Sequence, residues 1–252
     1  MVGIYPDKSF ARDIQILHKA IEEKRPFTLS KFADGEWMVM ENKDLDNREF
    51  QYRVSDGRQG PEFTRARDAL IDSFRYQHPQ YYVGISCPCC QGDNFERMIK
   101  FSKQPKERLT WANIWVNTNY GYFLGNILPE FKNYEVHLVA NEAGHFGNIP
   151  FPVKMAWLVS NNAWVEDWDM IENLCTAAKS EQGALFLFCC GPFGNILAHK
   201  LTEASDKNTY LDIGSTLNPF LKVEGFKRGY FNSWQSRNPC TWGEVENDTI
   251  AT

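Results

Sequence analysis

The sequence predicts an α/β layered fold, a largely parallel sheet flanked by helices. Two observations predict it. Short, largely apolar runs such as "YYVGIS" (81–86), "YEVHLVA" (134–140) and "ALFLFCC" (184–190) have the length of strands buried on both faces. Between them lie longer segments with apolar residues at helical spacing. Alternation of the two makes a layered sheet whose crossovers run through helices.

The elements follow in order. Residues 9–24 place Phe10, Ile14, Leu17 and Ile21 at steps of four, three and four, an amphipathic helix. "PFTLSKF" (26–32) reads as a strand opening after Pro26, and residues 62–77 as a helix. "YYVGIS" ends at Pro88, which cannot donate to a sheet ladder. "YEVHLVA" and "ALFLFCC" are the clearest buried strands, and "TYLDIG" (209–214) is another. Helices are expected over about 118–131, 165–180 and 193–205. No repeat, low-complexity tract or Gly/Ser-rich linker divides the chain, so residues 1–252 read as a single domain with an irregular tail from about 239.

Composition narrows the function classes. A net charge of −5 argues mildly against a nucleic-acid binder, although "KQPKER" (103–108) and "EGFKRGY" (224–230) could form a local basic face. No apolar run reaches the roughly 18–20 residues of a membrane span. The opening "MVGIYPDKSFARDIQ" lacks the layout of a secretory signal. The expected location is the cytoplasm, or the host cytoplasm for a phage-encoded protein. Seven cysteines, two pairs of them adjacent, read as reduced thiols in such a compartment. "CPCC" lacks the two-knuckle spacing of structural zinc.

In parallel sheets ligands bind beyond the carboxyl ends of the strands, and the distinctive residues cluster there. Asp34-Gly35-Glu36 follows the first strand, "NEAGHFGN" (141–148) the third, "GPFGN" (191–195) the fourth, and "DIGSTLN" (212–218) the fifth. Gly191 and Gly194 let backbone approach a ligand closely, and Pro192 suits a first helical turn, whose free amides favour phosphate. The same glycines also serve a strand-to-helix turn for steric reasons alone. Asp34 and Glu36 admit two readings: a cap and first-turn acid for the next helix, or ligands for a hard divalent cation beside phosphate oxygens.

"LSKFADGEW" is similar to the "S-R-F-G-D-G-E" opening of the GT-D-type glycosyltransferases, a family long catalogued as a domain of unknown function. "ALFLFCCGPFGNILAHKL" resembles that family's strand–Gly-Pro–helix segment, and "TYLDIGSTLNPFL" falls where the family has "A-I-D-I-G-H-x-D". "VHLVANEAGHFG" and "IPFPVKMAW" match more loosely, so the resemblance spans roughly residues 28–220. Lys31 stands for the family Arg, Ala33 for Gly, Ser215 for His and Leu217 for Asp.

The resemblance implies a metal-dependent glycosyltransferase on a Rossmann-like sheet, with Mn2+ or Mg2+ at Asp34 and Glu36. It would move a hexose, glucose foremost, from a UDP-sugar to an acceptor hydroxyl. Lys31, Phe32, Gly191, Pro192, Gly194, Gly214 and Ser215 would face the nucleotide side. Asp212, Glu142 and His145 are the candidate bases. The acceptor stays open between a glycan or glycopeptide and a hydroxymethylated DNA base. Trp111, Trp115, Tyr120 and Tyr122 would stack on either or build the core. Lys222, Lys227, Arg228 and Arg237, interleaved with aromatics in 220–242, would grip an acceptor or be solvated. The alternative from another class is a non-catalytic nucleotide or nucleic-acid binding module.

Overall fold

A computed structural model describes residues 10–46, 51–52, 60–87 and 94–223. Its centre is a seven-stranded, all-parallel sheet. The strands are β1 (Thr28–Lys31), β2 (Tyr81–Ile85), β3 (Leu109–Trp111), β4 (Val136–Asn141), β5 (Met155–Val159), β6 (Leu185–Cys189) and β7 (Thr209–Asp212). Their spatial order is β3-β2-β1-β7-β6-β4-β5. The chain steps outward from β1 to β3, crosses to β4 and β5 on the far side, then returns through β6 to β7 beside β1. The β1/β7 boundary is therefore the point where strand order reverses, the place where open parallel sheets bind ligands.

That boundary is also where pairing is shortest. β1 pairs with β2 along its whole length, from Thr28↔Tyr81 to Lys31↔Gly84. With β7 it pairs only at Thr28↔Tyr210 and Leu29↔Leu211. On its other side β7 stays paired with β6 up to Phe188↔Asp212. Toward the carboxyl ends, then, the β1–β7 ladder stops while its neighbours continue.

The helices are α1 (Phe10–Glu22), α2 (Asp34–Met40), α3 (Pro61–Arg75), α4 (Asn94–Ser102), α5 (Met170–Ser180) and α6 (Pro192–Ala204). In α6 every residue from Pro192 to Thr202 except Lys200 is buried, which is why its sequence "PFGNILAHKLT" carries little amphipathic pattern. It packs on β1 and β7, where Thr202 and Thr28 join hydroxyls at 2.6 Å. Phe32 is sealed in the core with its ring 4.6 Å from that of Phe74. Truncating such a ring costs about 3–5 kcal/mol.

Some segments depart from expectation. Residues 117–133 are not one helix but a chain of 3-10, α, π and again 3-10 turns. Gly121, Gly125 and Pro129 weaken a continuous ladder there. The expected 165–180 helix is broken into Ala163–Glu166 and α5, and Asp167 at the break accepts a hydrogen bond from the Ser160 amide at 2.8 Å. β3 and β5 were not expected as strands. β3 is three residues long, and β5 is an edge strand with Met155 and Leu158 48% and 49% exposed, so neither carries a buried apolar run. Residues 45–46 and 51–52 add a short antiparallel pair. The tail from 239, the basic–aromatic stretch beyond Val223 and Cys89, Cys90 and Cys240 lie outside the described residues. Cys87, Cys175, Cys189 and Cys190 are free thiols. No helix of the described residues is long and apolar enough to cross a membrane.

Candidate active site at the strand-order reversal

A cleft of about 480 Å³ opens at the carboxyl ends of the strands. β1 and the start of α2 contribute Lys31, Asp34 and Glu36; the end of β7 contributes Asp212, Gly214 and Ser215. Gly191, Cys189 and Cys190 come from the β6–α6 turn. Ser86, Cys87, Asn113 and Asn117 line one flank, and Asn141, Ser160 and Asn161 the other.

α2 begins without a side-chain cap, because its N-cap is Ala33. Glu36 supplies half of a capping box instead: its Oε2 accepts the Ala33 amide at 2.9 Å. One Glu36 oxygen is thus committed to the helix and the other is left for the cleft. Asp34, the first residue of α2, is exposed and Glu36 is half-buried. The Glu36 carboxyl is pushed up to about 7, by burial first and then by the charges of Asp212 and Asp34, against the lowering effect of its backbone hydrogen bonds.

Asp212 is 6% exposed and held by main chain. Its Oδ2 accepts the Lys31 amide at 3.1 Å and its Oδ1 the Gly214 amide at 3.0 Å. Burial raises its carboxyl above the ordinary range, opposed by the Lys31 charge and those two amides. The Lys31 side chain is 9% exposed and runs over Gly214, where a Cβ would sit 3.0 Å from its Nζ. Gly214 also has φ +52°, so both conformation and space call for glycine. Among the described residues the Lys31 ammonium has no hydrogen-bond or ion-pair partner. It is a nearly buried cation in a cleft that also holds three carboxylates, and its charge acts on Asp212.

Gly191 occupies the left-handed side of backbone space, φ 56°, at the N-cap of α6, with Pro192 at the first helical position. Gly191 lines the cleft, whereas Pro192 and Gly194 do not. A Cβ on Gly194 would meet Phe188 at 3.0 Å, so its small size serves helix–sheet packing. Phe32 likewise lies behind the cleft, in the core. Glu142 and His145 are exposed and outside the lining. The His145 amide donates to Leu221 O at 2.6 Å, which closes that turn onto residues 218–221. Trp111, Trp115 and Tyr120 are buried in the core, and Tyr122 bonds His18 Nδ1 at 2.9 Å. Burial pushes the Cys189 and Cys190 thiols above their usual range, as expected of unreactive cysteines.

The residues missed in the sequence are amides and hydroxyls. Asn141 is fixed by donating from Nδ2 to Asn161 Oδ1 at 2.6 Å and accepting the Ala143 amide at 2.9 Å. Ser160 brings a hydroxyl with no partner among the described residues. The available signal was position: Asn141 ends β4 and Ser160 follows β5. Among the described residues the sole group of three metal-ligating side chains with converging atoms is His18, Glu22 and Glu130, none of which lines the cleft. Asp34 and Glu36 nonetheless fit a hard cation chemically. They are neighbouring oxygen donors, one with a free oxygen and a raised carboxyl that a positive charge would relieve.

No protein-family model matches the sequence, and no curated protein matches it significantly. Solved structures do match. One is a selenomethionine-substituted structure of domain of unknown function 1792 (DUF1792), with a TM-score of 0.56 and 14% identity over 81% of this chain and 77% of that one. A second, described as DUF1792 with a distinct glycosyltransferase fold, has a TM-score of 0.53 and 13% identity over the same shares. The chain has the DUF1792 fold. A third structure, described as a new glycosyltransferase (DUF1792) from Streptococcus sanguinis, has a TM-score of 0.53 and 13% identity over 81% of this chain and 80% of that one. At these identities the likeness between this chain and the DUF1792 structures is one of fold.

Proposed function

We propose that this protein is a nucleotide-sugar-dependent glycosyltransferase that moves a hexose from a UDP-sugar to an acceptor hydroxyl. The observation that carries the proposal is the nearly buried Lys31 ammonium, with no hydrogen-bonded or ion-paired partner among the described residues, in one cleft with Asp34, Glu36 and Asp212 at the strand-order reversal. Asp212 offsets part of that charge without bonding the ammonium, so the ammonium's donors stay free for an anion such as a diphosphate. The carboxylates in the same cleft would repel that diphosphate unless a cation lay between them. Asp34 and Glu36 would hold Mn2+ or Mg2+, whose charge stabilises the leaving diphosphate.

The chain's own residues have separate tasks. Lys31 binds the anionic leaving group and Gly191 lets the α6 turn approach it closely. Asp212 has a carboxyl raised by burial and is oriented by two amides. It is the best-placed base to take the acceptor proton as the new glycosidic bond forms and UDP departs. Glu142 and His145, exposed and away from the lining, are less well placed.

For the acceptor, the described lining has one cation, Lys31, and otherwise carboxylates, amides, hydroxyls, thiols and small apolar groups. Nucleic-acid affinity comes chiefly from cations on phosphates, so a hydroxyl-rich glycan suits this surface better than a hydroxymethylated DNA base. The test is a screen of nucleotide sugars for metal-dependent release of UDP, with and without chelator and with glycan or modified DNA as acceptor. Metal-dependent UDP release supports the proposal. Absence of release and of binding with every donor would overturn it and leave a non-catalytic module.

A further inference from the structure

Asn195, on the buried face of α6, is fully enclosed and does not line the cleft. Its Nδ2 donates to Lys31 O at 2.8 Å and Ser30 Oγ at 3.0 Å, and lies 3.4 Å from Asp212 Oδ2. A carbonyl and a carboxylate only accept, so the amide nitrogen must face them and the opposite rotamer would set oxygen against oxygen. That orientation leaves Asn195 Oδ1 buried with no partner among the described residues. An orphaned acceptor of this kind costs about 1–3 kcal/mol. An apolar residue of the same shape would avoid that cost but strip Lys31 O and Ser30 Oγ of a donor, so the amide matters for what it joins.

The reason lies in the sheet. The β1–β7 ladder ends at Leu29↔Leu211, so no main-chain pairing sets Lys31 against Asp212. Yet both residues line the cleft of the proposed diphosphate site. Side chains close the gap: the Lys31 amide bonds Asp212 Oδ2, and Asn195 reaches the end of β1 and Asp212 together. We propose that Asn195 is a positioning residue that holds the splayed ends of β1 and β7 in register. It thereby sets the separation of Lys31, and of Asp34 and Glu36 beyond it, from Asp212. Its effect on transfer rests on the glycosyltransferase reading; its effect on the strand ends does not.

The test uses the full chain with Asn195→Leu, close to Asn in size, and with Asn195→Ser as a second variant should the first not fold. Amide hydrogen exchange is followed by NMR, and UDP affinity in Mn2+ by calorimetry. Loss of one such link, worth about a tenfold change, should speed exchange at the Lys31 and Gly214 amides well beyond the rest of the core. UDP affinity of the folded protein should fall about tenfold as well. Uniform acceleration of all core amides, with UDP affinity unchanged, would overturn the proposal and leave Asn195 a packing residue. If the wild-type chain binds no nucleotide, the glycosyltransferase reading fails. Selective exchange at Lys31 and Gly214 would then still support the positioning role, and uniform exchange would overturn it too.

Discussion

The middle of the cleft and its β4/β5 flank are built from opposite materials. At the β1/β7 boundary Lys31 and Asp212 are nearly buried and Glu36 half-buried, where burial first, and then the charges of Asp212 and Asp34, push Glu36 to about 7. At the β4/β5 side, toward the sheet edge, the lining is Asn141, Ser160 and Asn161, uncharged and partly tied to one another. Strained charge belongs where a charged ligand relieves it, and neutral donors and acceptors suit a hydroxylated ligand. The contrast implies a division of labour between a donor side and an acceptor side, and it can be broken by experiment.

The largest effect should come from the carboxylates of α2. Asp34→Asn and Glu36→Gln should each lower UDP release about 100-fold or more, the scale of losing one electrostatic stabiliser of a developing charge. Circular dichroism should show both variants folded. Near-normal turnover with intact metal dependence in both would remove the metal assignment.

Next is Lys31→Met, which keeps much of the side chain's bulk and deletes the ammonium. UDP affinity should drop about 10- to 100-fold, as for loss of a charged hydrogen bond of about 1.5–3 kcal/mol. Stability without ligand should fall, since buried Asp212 loses the charge that offsets its burial. Calorimetry with UDP, beside a urea melt, measures both. A variant that binds UDP normally would place the diphosphate elsewhere.

Glu36→Gln also makes a pH prediction for metal-free protein. Glu36 sits at about 7 when folded against an ordinary value of 4.5. The folded state therefore holds a proton that the unfolded state has released, and wild-type stability falls as pH rises between these values. Gln carries no such dependence. Its advantage should be absent below pH 4.5 and level off above about 7, reaching about 1–2 kcal/mol once Glu36's open edge on the cleft is allowed for. Urea melts at pH 4.5 and 8 would show it, and an equal difference at both would refute the crowded-charge picture.

The smallest effect should come from the neutral side. Asn161→Ala removes one uncharged hydrogen-bonding group, worth about 0.5–1.5 kcal/mol. KM for the acceptor should rise several-fold while hydrolysis of donor in water is unchanged. A fall in donor hydrolysis would erase the boundary between the two sides.

The sequence by itself determined the layered α/β architecture, because buried parallel strands need uninterrupted apolar runs and "YEVHLVA" and "ALFLFCC" supply them. It also placed Asp34 and Glu36 at a strand-to-helix turn, since chain adjacency alone puts them there. Short and edge elements were illegible: β3 pairs through three residues, and β5 keeps Met155 and Leu158 in solvent, so neither leaves a periodic trace. "NEAGHFGN" looked catalytic by composition, yet the chain turns His145 outward onto Leu221 and leaves Asn141 to line the cleft. Asn195 looked like one more polar residue in a helix. Only the tertiary structure decided that it lies beneath the cleft, because contacts between residues 31, 195 and 212 depend on which strands become neighbours. Strand order is set by crossovers and core packing over the whole chain, and no local pattern of residues encodes it.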